Sequence, residues 1–102
     1  MPSSTSDGRE SAFRQMLREM SPIFWDTDIE QLDMDVNHRY IIARLLNMGG
    51  MRGYFWVRDH YSAAAITDTL THRRDIRPIQ QNFMAEQYGV PRSALPKHVP
   101  WR

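Results

Sequence analysis

The chain has 102 residues, of which 41% are hydrophobic and 25% charged, with no cysteine and a formal net charge of +1. This composition is typical of one small folded domain and excludes a disordered chain, a disulfide framework and a thiolate metal site. No apolar run reaches the roughly 18–20 residues of a membrane span, and residues 1–8 lack the apolar core of a signal peptide. We therefore expect a cytoplasmic protein with no membrane partner.

The first predicted helix covers residues 8–20. Asp7 and Glu10 have the spacing of an N-terminal capping pair, and Pro22 ends the helix because the residue before proline avoids the helical region. The apolar stripe at helical spacing consists of Phe13, Met16, Leu17 and Met20. Asp28 caps a short helical turn at residues 28–32.

Asp35 begins the second main helix, and Gly49 occupies the left-handed position that ends it. His38 lies on the apolar face of this helix, where we expect a partly buried histidine with one backbone hydrogen bond. The same face carries Ile41, Ile42, Leu45 and Leu46. This segment has the strongest helical periodicity of the chain.

Residues 51–61 fit two secondary structures. The run from Gly53 to Val57 is rich in strand formers, whereas Tyr54, Val57 and Tyr61 share a helical stripe. No second strand is available for pairing, and a lone strand leaves its backbone groups without partners. We therefore predict a largely buried helix.

Two further helices follow. Ser62 is a suitable N-cap for a helix that reaches residue 74, and Pro78 suits the first position of a last helix ending at Gly89. The last helix carries two apolar pairs at i, i+4, namely Ile79 with Phe83 and Met84 with Tyr88. The sequence thus predicts an all-α helical bundle of about five helices, a single domain at residues 8–90, with flexible tails at 1–7 and at the proline-rich 91–102.

No pattern for catalysis or ion binding is present. The acidic run from Asp26 lacks the glycine and glutamate of a calcium loop, since Gln31 and Asn37 occupy those positions, and its carboxylates are interpreted as helix caps. No glycine-rich phosphate loop and no nucleophile with a neighbouring base can be identified. We expect a protein that is not an enzyme and needs no cofactor and no metal.

Charge is spread unevenly along the chain. Residues 1–35 carry eight acidic and three basic side chains (net −5), whereas residues 36–102 carry four acidic and ten basic ones (net +6). This asymmetry indicates either a surface for a nucleic acid or a partner, or two halves that neutralise each other in the fold.

Two interaction hypotheses follow. In the first, the chain binds a protein partner, and the contact residues are Tyr54, Trp56, Arg58 and Trp101, because aromatic and arginine side chains dominate interfaces. The alternative for Tyr54 and Trp56 is a place in the core. Seven methionines and eleven aromatic residues also make a homo-oligomer possible, with a second copy covering an apolar face.

In the second hypothesis, residues 62–77 bind DNA as part of a helix-turn-helix-like regulator. The residues that would contact DNA are Thr67, Thr71, Arg73, Arg74 and Arg77. The start of the presumed recognition helix holds alanines and Asp68 follows, so few donors are available to contact bases.

The motif from Phe24 to Asp28 (Phe-Trp-Asp-Thr-Asp), followed by Leu32-Asp33 and the helix at residues 38–46, resembles a family of small bacterial helical proteins of uncharacterised function. The resemblance covers roughly residues 21–88 and extends to Arg77-Pro78 and Phe83, whereas Met84 and the glycine-rich connector at 49–53 depart from it. Such proteins often occur beside nucleotidyltransferase-type toxins of the abortive-infection class. The resemblance implies an antitoxin-like role with a toxin as partner, no catalytic residue, Phe24 and Trp25 as packing anchors, and Asp26 and Asp28 as caps.

Overall fold

The computed structural model describes residues 4–97, with side chains from residue 8 onward. Its five α-helices are α1 (Ser4–Glu19), α2 (His38–Met48), α3 (Gly50–His60), α4 (Ala63–His72) and α5 (Pro78–Gln87). Short 3₁₀ turns lie at Ser21–Phe24, Ile29–Gln31 and Arg92–Ala94. Residues 4–97 contain no strand, which confirms the all-α prediction.

Helix α2 forms the centre of the domain. All six residues from Ile41 to Leu46 are buried, so the helix is covered on every side for nearly two turns. It packs most extensively against α3 and α4 and also contacts the 3₁₀ turn Ser21–Phe24. Helix α1 adds Phe13, Met16 and Leu17 to the same core. The apolar stripes predicted for both helices are thus the ones that are buried.

The segment whose sequence fitted either a strand or a helix forms α3, which confirms the predicted helix. Only Gly53 and Val57 of its residues are buried, however, so the prediction of a largely buried helix is wrong. The left-handed residue after α2 is Gly50 (φ +59°) and not the predicted Gly49 (φ −89°), and a positive φ disfavours residues with a Cβ. Gly53 then lets α3 approach α2 closely, because a Cβ at this position would lie 2.3 Å from the carbonyl oxygen of Leu45.

Several helix boundaries differ from those predicted. Helix α1 begins at Ser4, so Asp7 lies within it and not at its N-cap. Helix α2 begins at His38 and not at Asp35, because the Asp33 carboxylate accepts hydrogen bonds from the backbone N–H groups of Asp35 (2.9 Å) and Val36 (2.8 Å) in a preceding turn.

Two predicted caps are confirmed. The Asp28 carboxylate accepts a hydrogen bond from Glu30 N–H at 3.0 Å, and the Ser62 hydroxyl accepts one from Ala65 N–H at 3.1 Å. Helix α4 nevertheless ends at His72, two residues before the predicted end.

The start of the proline-rich C-terminal segment lies against the domain. Leu95 is half-buried against the core, and the carbonyl of Pro96 accepts a hydrogen bond from the Gln81 side chain at 3.4 Å. Trp101, a predicted partner contact, lies outside the described residues. Between residues 4 and 97, no helix combines the length and the apolar character needed to cross a membrane.

Candidate protein-interaction surface

Helices α3 and α5 border an open groove of about 410 Å³ on the surface of the domain. Its apolar lining is unusually accessible, since Met51 is 67%, Ile79 75% and Phe83 46% exposed. The groove is lined by Gly50, Met51, Tyr54, Ile79, Gln80 and Phe83.

Asn47 brings the starts of the two helices together. Its side-chain amide, in the last turn of α2, donates to the carbonyl of Asp75 and accepts from the backbone N–H of Arg77, both at 2.8 Å. The start of α5 therefore lies beside the junction from which α3 begins. One turn further along, the rings of Tyr54 and Phe83 meet edge to face with centroids 5.4 Å apart.

The exposed face of α3 extends the groove lining. Met51, Tyr54, Phe55 and Arg58 have the i, i+3, i+4, i+7 spacing of one helical stripe. Phe55 is 40% exposed, and the Arg58 guanidinium lies 4.7 Å from the centroid of its ring. We define the α3–α5 apolar surface as Met51, Tyr54, Phe55, Ile79 and Phe83.

The residues predicted to contact a partner divide between two sides of α3. Tyr54 belongs to the α3–α5 apolar surface, and Arg58 borders it. Trp56 lies on another face, half-buried, where its ring stacks on His60 at 4.1 Å and lies 6.3 Å from that of Phe13. Trp56 is therefore a packing residue at the edge of the core.

Sequence reasoning missed Ile79 and Phe83 as surface residues. The two apolar pairs on α5 could have indicated an exposed pair, because one short helix on the outside of a small domain cannot bury both of its faces. The structure buries Met84, together with Gln81 and Ala85, and leaves the other pair exposed.

The Phe-Trp-Asp motif is structural, but two of its residues do not have the predicted role. Phe24 is buried, whereas Trp25 is 66% exposed and so is not a packing anchor. Asp26 caps no helix, because the chain continues into a turn. Its carboxylate instead accepts a hydrogen bond from the Tyr40 hydroxyl at 2.7 Å and pairs with the buried Arg44.

The contacts among Asp26, Tyr40 and Arg44 also shift the pKa values of Asp26 and Tyr40. The Tyr40 hydrogen bond, followed by the charge of Arg44, lowers the pKa of Asp26. Burial, followed by the same hydrogen bond, raises the pKa of Tyr40 to about 12. This cluster anchors the segment after α1 onto α2.

The candidate DNA-contacting residues are partly engaged within the protein. Arg73 forms a two-point pair with Asp75 at 2.8 and 2.6 Å, and the Thr71 hydroxyl donates to the carbonyl of Thr67 at 3.0 Å. Arg74 and Arg77 are exposed. The structure thus leaves two arginines of the set accessible for phosphate contacts.

A charge cluster around Asp68 was not anticipated. Its carboxylate accepts from Arg39 Nε at 2.7 Å and lies 2.6 Å from His38 Nε2, which links α2 to α4. The bonds from Arg39 and then His38 hold the pKa of Asp68 far below its usual value. The predicted backbone contact of His38 is present as well, to the carbonyl of Asp35 at 2.8 Å. Through the part of the chain that the structure describes, no group of three or more His, Asp or Glu side chains is arranged to hold a metal ion.

Fold and surface together define a small all-helical domain with an exposed apolar groove. The family model described as DUF6922, a family of unknown function, matches residues 20–70, and the chain belongs to this family. No curated protein matches the chain, and no solved structure matches it. The matched residues include the α3 side of the groove, whereas α5 lies beyond them.

Proposed function

We propose that this protein is a non-enzymatic protein-interaction module and that its partner binds to the α3–α5 apolar surface. The carrying observation is the concentration of exposed apolar side chains there. Seven large hydrophobic side chains are exposed in the described part of the chain, and four of them, Met51, Phe55, Ile79 and Phe83, belong to this surface. Contiguous exposed apolar patches mark interaction sites, whereas isolated ones need no explanation.

The energy available from this surface is sufficient for binding. Full burial of a large apolar side chain contributes about 1.5–3 kcal/mol, so covering the exposed parts of these side chains would contribute roughly 1–2 kcal/mol each. Arg58 on the border lies over the rings of Tyr54 and Phe55 and can donate hydrogen bonds to a partner. Aromatic anchors with a neighbouring arginine are the side chains that dominate measured interfaces.

For the identity of the partner we propose a toxin encoded beside this protein, which would make this chain antitoxin-like. The support is the resemblance of the motif from Phe24 to Asp28 and of the α2 sequence to small bacterial helical proteins with such neighbours. Because Phe24 is buried and the Asp26 carboxylate is engaged within the domain, these two motif residues would not contact the toxin.

The proposal is tested by copurification of the tagged chain from its host, followed by quantitative mass spectrometry. The variant Ile79→Ser/Phe83→Ser removes apolar surface without disturbing the core, and circular dichroism checks its fold. Val36→Ser is the matched control, because Val36 is 80% exposed and lies in the turn before α2, outside the groove. We expect one partner on the wild type and on the control, and its loss from the double variant.

Two results would count against the proposal. A partner retained equally by the double variant would place the binding site elsewhere, and a chain recovered without any stoichiometric partner would contradict the interaction role. Coexpression with the product of the neighbouring gene tests the toxin separately, since the double variant should then fail to protect cells that the wild type protects.

A further inference from the structure

The two ends of the α3–α5 groove differ in charge. At the end where both helices start, Arg77 immediately precedes α5, and it pairs with no carboxylate of residues 8–97. Arg74 lies in the connection that leads to this end. The partial charge of two helix N-termini has the same positive sign.

The opposite end carries carboxylates. Glu86 lies in the last turn of α5, seven residues after Ile79 and therefore on the same stripe. Asp59 lies in the last turn of α3, where it pairs with Arg58 at 3.0 Å. The groove is thus positive at the helix starts, and Glu86 offers a carboxylate near the end of α5 that forms no ion pair within residues 8–97.

A surface with this polarity is complementary to itself when one copy is reversed. In a two-fold dimer whose axis passes through the groove near residues 81–82 of α5, Arg77 of one copy faces Glu86 of the other. The same rotation brings the stripe of Ile79 and Phe83 next to the same stripe of the second copy. Isologous contacts of this kind are the commonest form of homo-oligomer.

We infer that, when no other partner is bound, a second copy of this chain covers the α3–α5 apolar surface in an antiparallel two-fold dimer. The five side chains of this surface are far fewer than the roughly 20–30 residues that each partner contributes to a standard stable interface, so we expect a weak dimer. The dimer and the complex of the proposed function then use the same surface and exclude each other. Dimerisation protects the apolar side chains from nonspecific contacts until the partner is present.

The test is sedimentation velocity of the full chain over concentrations up to roughly 1 mM, so that an association free energy as weak as about −4 kcal/mol is detected. We expect a concentration-dependent dimer that Ile79→Ser dissociates. Because each dimer contains two Arg77–Glu86 contacts, Arg77→Glu or Glu86→Arg alone should raise the dissociation constant about tenfold or more. The double variant Arg77→Glu/Glu86→Arg should restore dimerisation.

Both charge reversals are compatible with the fold. Glutamate suits the start of a helix and arginine its end, and the contact of Arg77 with Asn47 is made by the backbone. Arg18→Glu, on the exposed side of α1, is the matched control and should leave the dimer unchanged.

A wild-type chain that stays monomeric throughout overturns the inference, as does a dimer that survives Ile79→Ser. Failure of the double reversal to restore the dimer excludes the antiparallel arrangement and also overturns it. None of these results affects copurification with a different protein, so the inference and the proposed function can fail independently.

Discussion

Replacing Gly53 by alanine tests the close packing of α3 on α2, which positions the groove. A Cβ built at this position would lie 2.3 Å from the carbonyl oxygen of Leu45 and 3.0 Å from its carbonyl carbon. The shorter distance is roughly 1 Å below ordinary van der Waals contact. Because the opposing atoms belong to the backbone of α2, no side-chain rotation can relieve the overlap, and the helices must separate.

The expected cost follows from two opposing effects. Overpacking a well-packed core costs about 1–3 kcal/mol, and a rigid backbone contact belongs in the upper half of that range. Alanine offsets about 1 kcal/mol of this cost through its greater helix propensity. We therefore expect Gly53→Ala to lower the free energy of unfolding by about 1–2 kcal/mol, which corresponds to a melting temperature lower by roughly 4–16 °C for a domain of this size.

The assay is urea unfolding followed by circular dichroism, with Gly8→Ala as the matched control. A Cβ at Gly8 in α1 would meet no atom within 4 Å, so this variant should be more stable by about 0.5–1 kcal/mol through propensity alone. If Gly53→Ala is stabilised by the same amount as Gly8→Ala, the close approach of α3 to α2 is refuted.

Three further predictions concern polar contacts. The bond from Arg39 is the first cause of the lowered pKa of Asp68. The resulting stability is present above about pH 4 and is lost as the pH falls towards the pKa of the folded state. Asp68→Asn should flatten this loss in urea midpoints measured from pH 5 to pH 2. Asp26→Asn should lower the free energy of unfolding by about 1–2 kcal/mol, because the buried Arg44 loses its carboxylate partner although Asp26 itself is partly solvated. An unchanged urea midpoint would show that the pair contributes nothing. Ser62→Ala should lower stability by about 1 kcal/mol while Ser62→Thr keeps the cap, and equal melting temperatures of the two variants would contradict the capping role.

Local sequence signals predicted the fold because the information needed was itself local. The stripe of α2 and the caps at Asp28 and Ser62 depend on residues within a few positions of one another, and all are present. The α3 segment was identified as a helix by elimination, since a lone strand cannot satisfy its backbone. Its exposure could not be predicted, because Gly53 brings its backbone against α2, which leaves Phe55 exposed and Tyr54 and Trp56 half-buried.

The mistaken roles were those that depend on distant residues. Asp26 has the sequence context of a cap, yet its partners Tyr40 and Arg44 lie 14 and 18 residues further along the chain. The Asp68 cluster joins residues about 30 positions apart. Neither pairing leaves a pattern that periodicity or spacing can detect, because both are created when α2 packs against its neighbours.

The choice of buried face on α5 is the strongest argument that the groove has a function. By hydrophobicity alone, Ile79 and Phe83 should turn inward before Gln81 and Ala85, because large apolar side chains gain most from burial. The structure instead buries Met84 together with Gln81, which is 6% exposed, and leaves Ile79 at 75% exposure.

Two polar contacts are compatible only with the observed side of α5 facing the domain. Asn47 holds the backbone at Arg77, and Gln81 bonds the carbonyl of Pro96. An outward apolar stripe costs about 1–2 kcal/mol for each side chain left in water. The partner of the proposed function, or the second copy of the inferred dimer, would remove this cost by covering the stripe.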